Sequence, residues 1–135
     1  MALSPQEALI YVMIVTASAD AELTDQEFAR IDALVGRLPV FAGFDRAQLP
    51  TVANACADLV NDGTDIEKVL EMAIAAIPQR LHDTAYALAV EVAAVDLELQ
   101  QEELRFLEMV RDGLALDRLV TAAIETAARA RYRRA

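Results

Sequence analysis

Histidine and cysteine each occur once in the 135 residues, as His82 and Cys56, and glycine and proline only four times each. A single cysteine excludes a disulfide framework and fits a reducing compartment. Cys56 stands in an alanine-rich helical pattern with no histidine nearby in sequence, so it reads as a small core residue rather than a nucleophile. A single histidine argues against a His-based metal site and against a hydrolytic triad. So few glycines and prolines leave few breaks in the chain, and no stretch alternates apolar with polar as a half-buried strand does. Apolar spacing of helical period dominates, which makes the fold class all-α. Long hydrophobic runs are missing too. Apolar residues make up 56% of the chain, yet no run approaches the roughly 20 residues that a membrane-spanning helix needs. The longest, Ala8 to Ala19, reads as a buried core helix. The start Met-Ala-Leu-Ser-Pro-Gln-Glu lacks the basic opening of a secretory signal. The expectation is one cytoplasmic domain over residues 1–135, with no transmembrane segment and with peripheral membrane contact left open.

Positive charge is scarce and unevenly placed. The net charge is −10, and Arg129, Arg131, Arg133 and Arg134 crowd into the last seven positions. Taking away those four positive charges leaves −14 on the rest. Such a body repels nucleic acid, so no nucleic-acid partner is expected. The arginines are accounted for by a helix C-terminus, whose macrodipole they complement.

What the chain has in quantity is helix formers and helix starts. Alanine supplies about a fifth of it. Ser4-Pro5-Gln6-Glu7 offers an N-cap, a proline at the first helical position and a reciprocal glutamate. Thr24-Asp25-Gln26-Glu27 and Thr64-Asp65-Ile66-Glu67 repeat the capping box, and Asp45-Arg46-Ala47-Gln48 does so less completely. Pro78 marks an entry to a fifth helix and Asp117 caps a seventh. The spacing predicts helices over 5–19, 25–37, 46–61, 65–76, 79–95, 101–113 and 118–132. Pro39 to Phe44 and Asn61 to Thr64 read as loop and turn. The first and fifth helices are apolar on nearly every face, through Leu9 to Val15 and through Leu88 to Val95. They are therefore expected at the centre of a bundle. Glu91 interrupts the fifth. It is either a buried carboxylate paired with an arginine or an outward-facing one at a gap between neighbours, the latter favoured. His82 and Asp83 are expected on a solvated first turn.

A slide of 76 positions superimposes the two halves. Val12 falls on Leu88, Ile14 on Val90, Ala17 on Ala93, Phe28 on Leu104, Ile31 on Leu107 and Leu38 on Leu114. The repeat halves run over about 5–38 and 79–115, and the stretch 39–76 has no second copy. An internal repeat of this kind points to a duplicated helical hairpin with pseudo-twofold character.

Each copy bends through an acidic turn. The first places Asp20, Glu22 and Glu27 within one helix–helix bend, with Asp25 beside them; the second places Asp96, Glu98 and Glu103, with Glu102. Gathered carboxylates repel, so each turn is well solvated, carries a raised carboxyl pKa or holds a cation. An oxygen-only set suits calcium or magnesium rather than zinc. An EF-hand is excluded, because the required sixth-position glycine and twelfth-position glutamate are Asp25 and Ile31 in one copy and Gln101 and Leu107 in the other. Part of the pattern is ordinary helix chemistry, since the capping box with Thr24 explains Glu27. Asp20 and Glu22 have no such explanation. Acid–base catalysis lacks a separate nucleophile.

Two segments carry a likeness to a known family: Ala17-Ser-Ala-Asp20-Ala-Glu22-Leu-Thr-Asp-Gln-Glu27 and Ala93-Ala-Val-Asp96-Leu-Glu98-Leu-Gln-Gln-Glu-Glu103. With Ile77-Pro78 before the fifth helix and Leu114-Ala-Leu-Asp117 before the last, the chain resembles the tellurite-resistance protein B (TerB-like) family over essentially its whole length. The family usually has glycine between the aspartate and glutamate, where this chain has Ala21 and Leu97, which marks it as a divergent member. The resemblance implies a compact bundle of about seven helices. It also implies a cytoplasmic protein linked to tellurite resistance and stress response, whose acidic residues bind a metal or a protein partner.

The expected function is accordingly non-enzymatic: a helical module in which Asp20, Glu22, Glu27, Asp96, Glu98 and Glu103 hold a divalent cation, calcium or magnesium, or a protein partner. Two alternatives belong to other classes. One is a metal-dependent enzyme whose acidic turns converge on a pocket. The other is a purely structural homo-oligomer joined through helix faces.

Overall fold

The computed structural model describes residues 2–18, 23–94 and 101–135, with side chains up to 93 in the middle segment and from 105 in the last. Among the described residues seven α-helices follow one another: α1 (Pro5–Ala17), α2 (Asp25–Arg37), α3 (Leu49–Asn61), α4 (Ile66–Ala75), α5 (His82–Ala94), α6 (Gln101–Leu114) and α7 (Arg118–Tyr132). No strand occurs among the described residues, and none of their helices is long and apolar enough to cross a membrane.

Local chemistry starts most of these helices where the sequence places them. The Ser4 hydroxyl accepts the Glu7 N–H at 3.1 Å while a Glu7 carboxylate oxygen accepts the Ser4 N–H at 2.9 Å. Thr24 and Glu27 repeat that exchange at the same two distances. Each box satisfies two of the N–H groups that a helix start leaves without partners. Asp117 caps α7 through the Leu119 N–H at 2.7 Å. At α4 the cap is Asp65, which accepts the Glu67 N–H at 3.2 Å, one residue later than the expected Thr64. A carboxylate two residues before its donor competes well with a threonine box at a helix start.

Two predicted helices begin late because a tight turn precedes each. Residues 46–48 and 79–81 are 3-10 turns, and the α-helices start at Leu49 and His82 rather than at 46 and 79. The 39–44 loop contains another such turn, Pro39–Phe41, closed by an edge-to-face contact between Phe41 and Phe44. The Gln6 amide donates to the Val40 and Ala42 carbonyls at 3.1 Å each, fastening this loop to the start of α1.

α1 and α5 form the centre. Every residue of α1 from Ala8 to Ala17 is buried, Thr16 included. Thr16 escapes the cost of a buried hydroxyl by donating to the Val12 carbonyl at 2.7 Å. α5 contributes Ala85, Tyr86, Leu88, Ala89, Val90, Val92 and Ala93 to the same core. The two helices pack against each other, and the others are laid around them. α2, α3 and α4 lie on α1; α6 and α7 lie on α5; α6 also reaches α1, and α2 also reaches α5. Fully burying one Leu9, Ile10 or Met13 side chain stabilises by about 1.5–3 kcal/mol, so α1 is held mainly by its surroundings.

The helix ends differ in quality. Past α3, Gly63 takes φ +87°, and the Thr64 N–H reaches back to the Leu59 carbonyl at 3.1 Å while the Gly63 N–H bonds Val60 at 3.1 Å. This is a Schellman ending, in which glycine takes the left-handed position without a Cβ clash. Past α6 the same role falls to Ala115, at φ +53°.

Candidate functional site

Of the six carboxylates expected to form a cation or partner site, Asp20, Glu22, Asp96 and Glu98 lie outside the described residues, as does the side chain of Glu103. Glu27 is described, and its carboxylate is the reciprocal partner of the Thr24 cap, one oxygen accepting the Thr24 N–H. Asp25 lies exposed in the same first turn. Among the described residues no three His, Cys, Asp or Glu side chains come together as a metal would require.

Two side-chain clusters that the fold assembles lie between α5 and α7. Glu91 accepts hydrogen bonds from the Arg131 guanidinium and the Tyr132 hydroxyl, both near the end of α7. Its side chain is 16% exposed. The outward placement favoured on sequence is thus replaced by the paired one: α7 lies against α5 and brings a cation and a hydroxyl to the carboxylate. Burial, then the Glu91 carboxylate, raises the Tyr132 phenol above its ordinary range, against the opposing pull of Arg131 and Arg30. A second pair ties the same two helices. Buried Tyr86 donates to Glu125 at 2.5 Å, and burial followed by this carboxylate pushes the phenol well up.

His82 departs from its expected solvated position. Its ring is half-buried, with Nε2 3.0 Å from the Ile77 carbonyl and Nδ1 3.2 Å from the Leu114 carbonyl. It bridges the entry of α5 to the end of α6. The 3-10 turn before α5 rotates the ring inward, an effect that helical periodicity does not register. Cys56 meets its expectation. It is 1% exposed, and burial pushes its thiol up to about 12, so it is a core residue with little thiolate. On the far side of α2, Arg46 makes a two-pronged contact with Asp32, both bonds 2.9 Å, and holds that carboxyl below its usual range.

One concavity adjoins the Glu91 cluster. α5 packs against both α2 and α7, while those two make no extensive contact with each other among the described residues. The gap is a groove of about 630 Å³ whose floor includes Ala87 and Leu88, with Leu34 and Arg37 on one wall and Ala127 and Arg131 on the other. Sequence reading did not single out this groove or its flanking arginine Arg37. The available signal was Ala87 and Ala127, small side chains on two helices that pack together, with Glu91 one turn beyond Ala87.

Comparison of the chain with known protein families, with curated proteins and with solved structures finds no match.

Proposed function

We propose that the chain is a non-enzymatic, TerB-like helical module of the cytoplasm. In this reading it serves tellurite resistance or a related stress response by holding a divalent cation or a protein partner through its two acidic turns. The observation that supports the reading is the exchange of neighbours around the central pair. α1 is followed by α2 and also touches α6; α5 is followed by α6 and also touches α2. A duplicated hairpin related by a pseudo-twofold axis has this contact pattern, in agreement with the 76-residue repeat in the sequence. In this reading Asp20 and Asp96 hold equivalent positions in the sequence of the two copies, 76 residues apart.

The test is calorimetric titration with calcium, magnesium, manganese and zinc, on the native chain and on a chain with Asp20→Asn and Asp96→Asn. Heat that saturates in the native chain and vanishes in the variant is the expected result. No heat at millimolar metal would remove the cation and leave the partner. For the partner, the matching test is pull-down from a tellurite-stressed cell extract, with loss of the captured protein in the variant. Failure of both would sink the proposal.

A further inference from the structure

We propose that the groove between α2 and α7 binds a small anionic amphiphile: one carboxylate head on an apolar body about 10 Å long. The site is separate from the acidic turns. Its volume of about 630 Å³ falls in the range of small-molecule pockets, roughly 300–1,000 Å³. Half-buried Ala87, Leu38, Val40 and Ile124, with exposed Ala127, supply the open apolar lining, while Leu34 and Leu88 lie almost fully buried at its base. An apolar body entering here displaces water from that partly open surface.

Charge selects the head group. The chain is acidic overall, at −10, but the groove is flanked by arginines. Arg131 is committed to Glu91. Arg37, on the opposite wall, makes no ion pair or side-chain hydrogen bond among the described residues. The lining thus sets one carboxylate, Glu91, against two guanidinium groups, and Arg37 is the group available to a ligand. A carboxylate on arginine is a charge-assisted, geometrically matched contact. An apolar lining with one well-placed charge is the usual make-up of a site for an amphiphile.

Extent argues against a protein occupant. The floor from Thr84 to Glu91 is two helical turns, about 10 Å, so the groove presents a few hundred Å² at most. A stable protein interface needs roughly 800 Å² from each partner.

Decanoate, below its micelle-forming concentration, is the probe, and decanol of the same length is the uncharged control. Calorimetry on the native chain should show saturable one-to-one binding of decanoate, and decanol should bind about tenfold more weakly or worse. Arg37→Gln should weaken decanoate by about the same factor and leave decanol unchanged. Ala127→Phe, on the exposed surface of α7, should abolish both while circular dichroism shows intact helix. Amide shifts in a heteronuclear spectrum should cluster at Ala87, Leu88 and Ala127. No saturable binding, or binding indifferent to both substitutions, would overturn the assignment. So would self-association of the native chain in sedimentation that Ala127→Phe removes, since the groove would then be an interface between copies.

Discussion

Helices α1 and α5 hold matching places at the centre of the bundle, yet α1 carries no charged residue between Ala8 and Ala17 whereas α5 carries Glu91 at the position corresponding to Val15. α1 is enclosed by α2, α3, α4 and α5 together; α5 is covered on its outer side by α6 and α7, with the groove beside α7. The difference teaches that two helices at the centre of one bundle need not be closed in the same way. The half with two additional helices over its central one is sealed by apolar packing. The other half is fastened by polar pairs, Glu91 with Arg131 and Tyr132, and Tyr86 with Glu125.

The sharpest way to break that contrast is to give α1 the carboxylate of α5. Val15→Glu puts an unpaired charge at a position 2% exposed, and the expected cost is about 4 kcal/mol or more at neutral pH, read by urea denaturation. Desolvation raises the pKa of the new carboxyl in the folded state, so stability should partly return as pH falls through the folded value toward the ordinary glutamate range. A cost below about 1 kcal/mol would show that α1 is not sealed.

The reverse exchange is milder. Glu91→Val leaves Arg131, itself half-exposed, free to turn to water, so a loss of about 1–2 kcal/mol is expected. The Tyr132 phenol should then titrate closer to its ordinary range, visible in the ultraviolet absorbance of phenolate, because one cause of its elevation has gone. An unchanged tyrosine titration would contradict the pairing.

Tyr86→Phe tests the second fastening, with an expected cost of about 1 kcal/mol at neutral pH. The phenol of Tyr86 is raised in the folded protein, so its contribution is complete below the ordinary tyrosine value near 10 and is lost as pH climbs beyond it toward the folded value. Denaturation midpoints of the native chain should fall with alkali more steeply than those of the variant. Parallel curves would count against the elevation.

Much of this bundle is legible in the sequence, and the parts that are not share a cause. Ser4 and Thr24 announce their helices because capping is local: donor, acceptor and spacing lie within four residues. The enclosure of α1 is legible because apolar residues on every face leave no alternative. Glu91 is ambiguous because its partners lie 40 and 41 residues away, on a helix whose angle to α5 no local pattern reports. His82 is missed for a related reason, since the Leu114 carbonyl is 32 residues distant. The groove is an absence between two helices, written only in the small size of Ala87 and Ala127. Of the acidic turns, sequence reading supplies the whole content, and Glu27 alone has a described role, as a cap.

The smallest expected effect compares the two helix ends. Ala115 takes by strain the conformation that Gly63 takes freely, so Ala115→Gly should stabilise by about 0.5–1 kcal/mol, read as a higher thermal midpoint. A loss of stability would mean that Ala115 is held in place by contacts worth more than its backbone strain.

The packing of α1 on α5 also sets a timetable for synthesis. α1 leaves the ribosome before α5, and roughly 65 residues separate its end from the start of α5. At about 5–20 residues per second that is an interval of several seconds in which an almost wholly apolar helix lacks its central partner. α3 and α4 emerge within the interval and can shelter one side of it. The other side is adhesive to anything nearby until α5 arrives, so the yield of native protein should depend on translation speed through residues 18–82 and on holding chaperones, more than on the stability of the finished bundle.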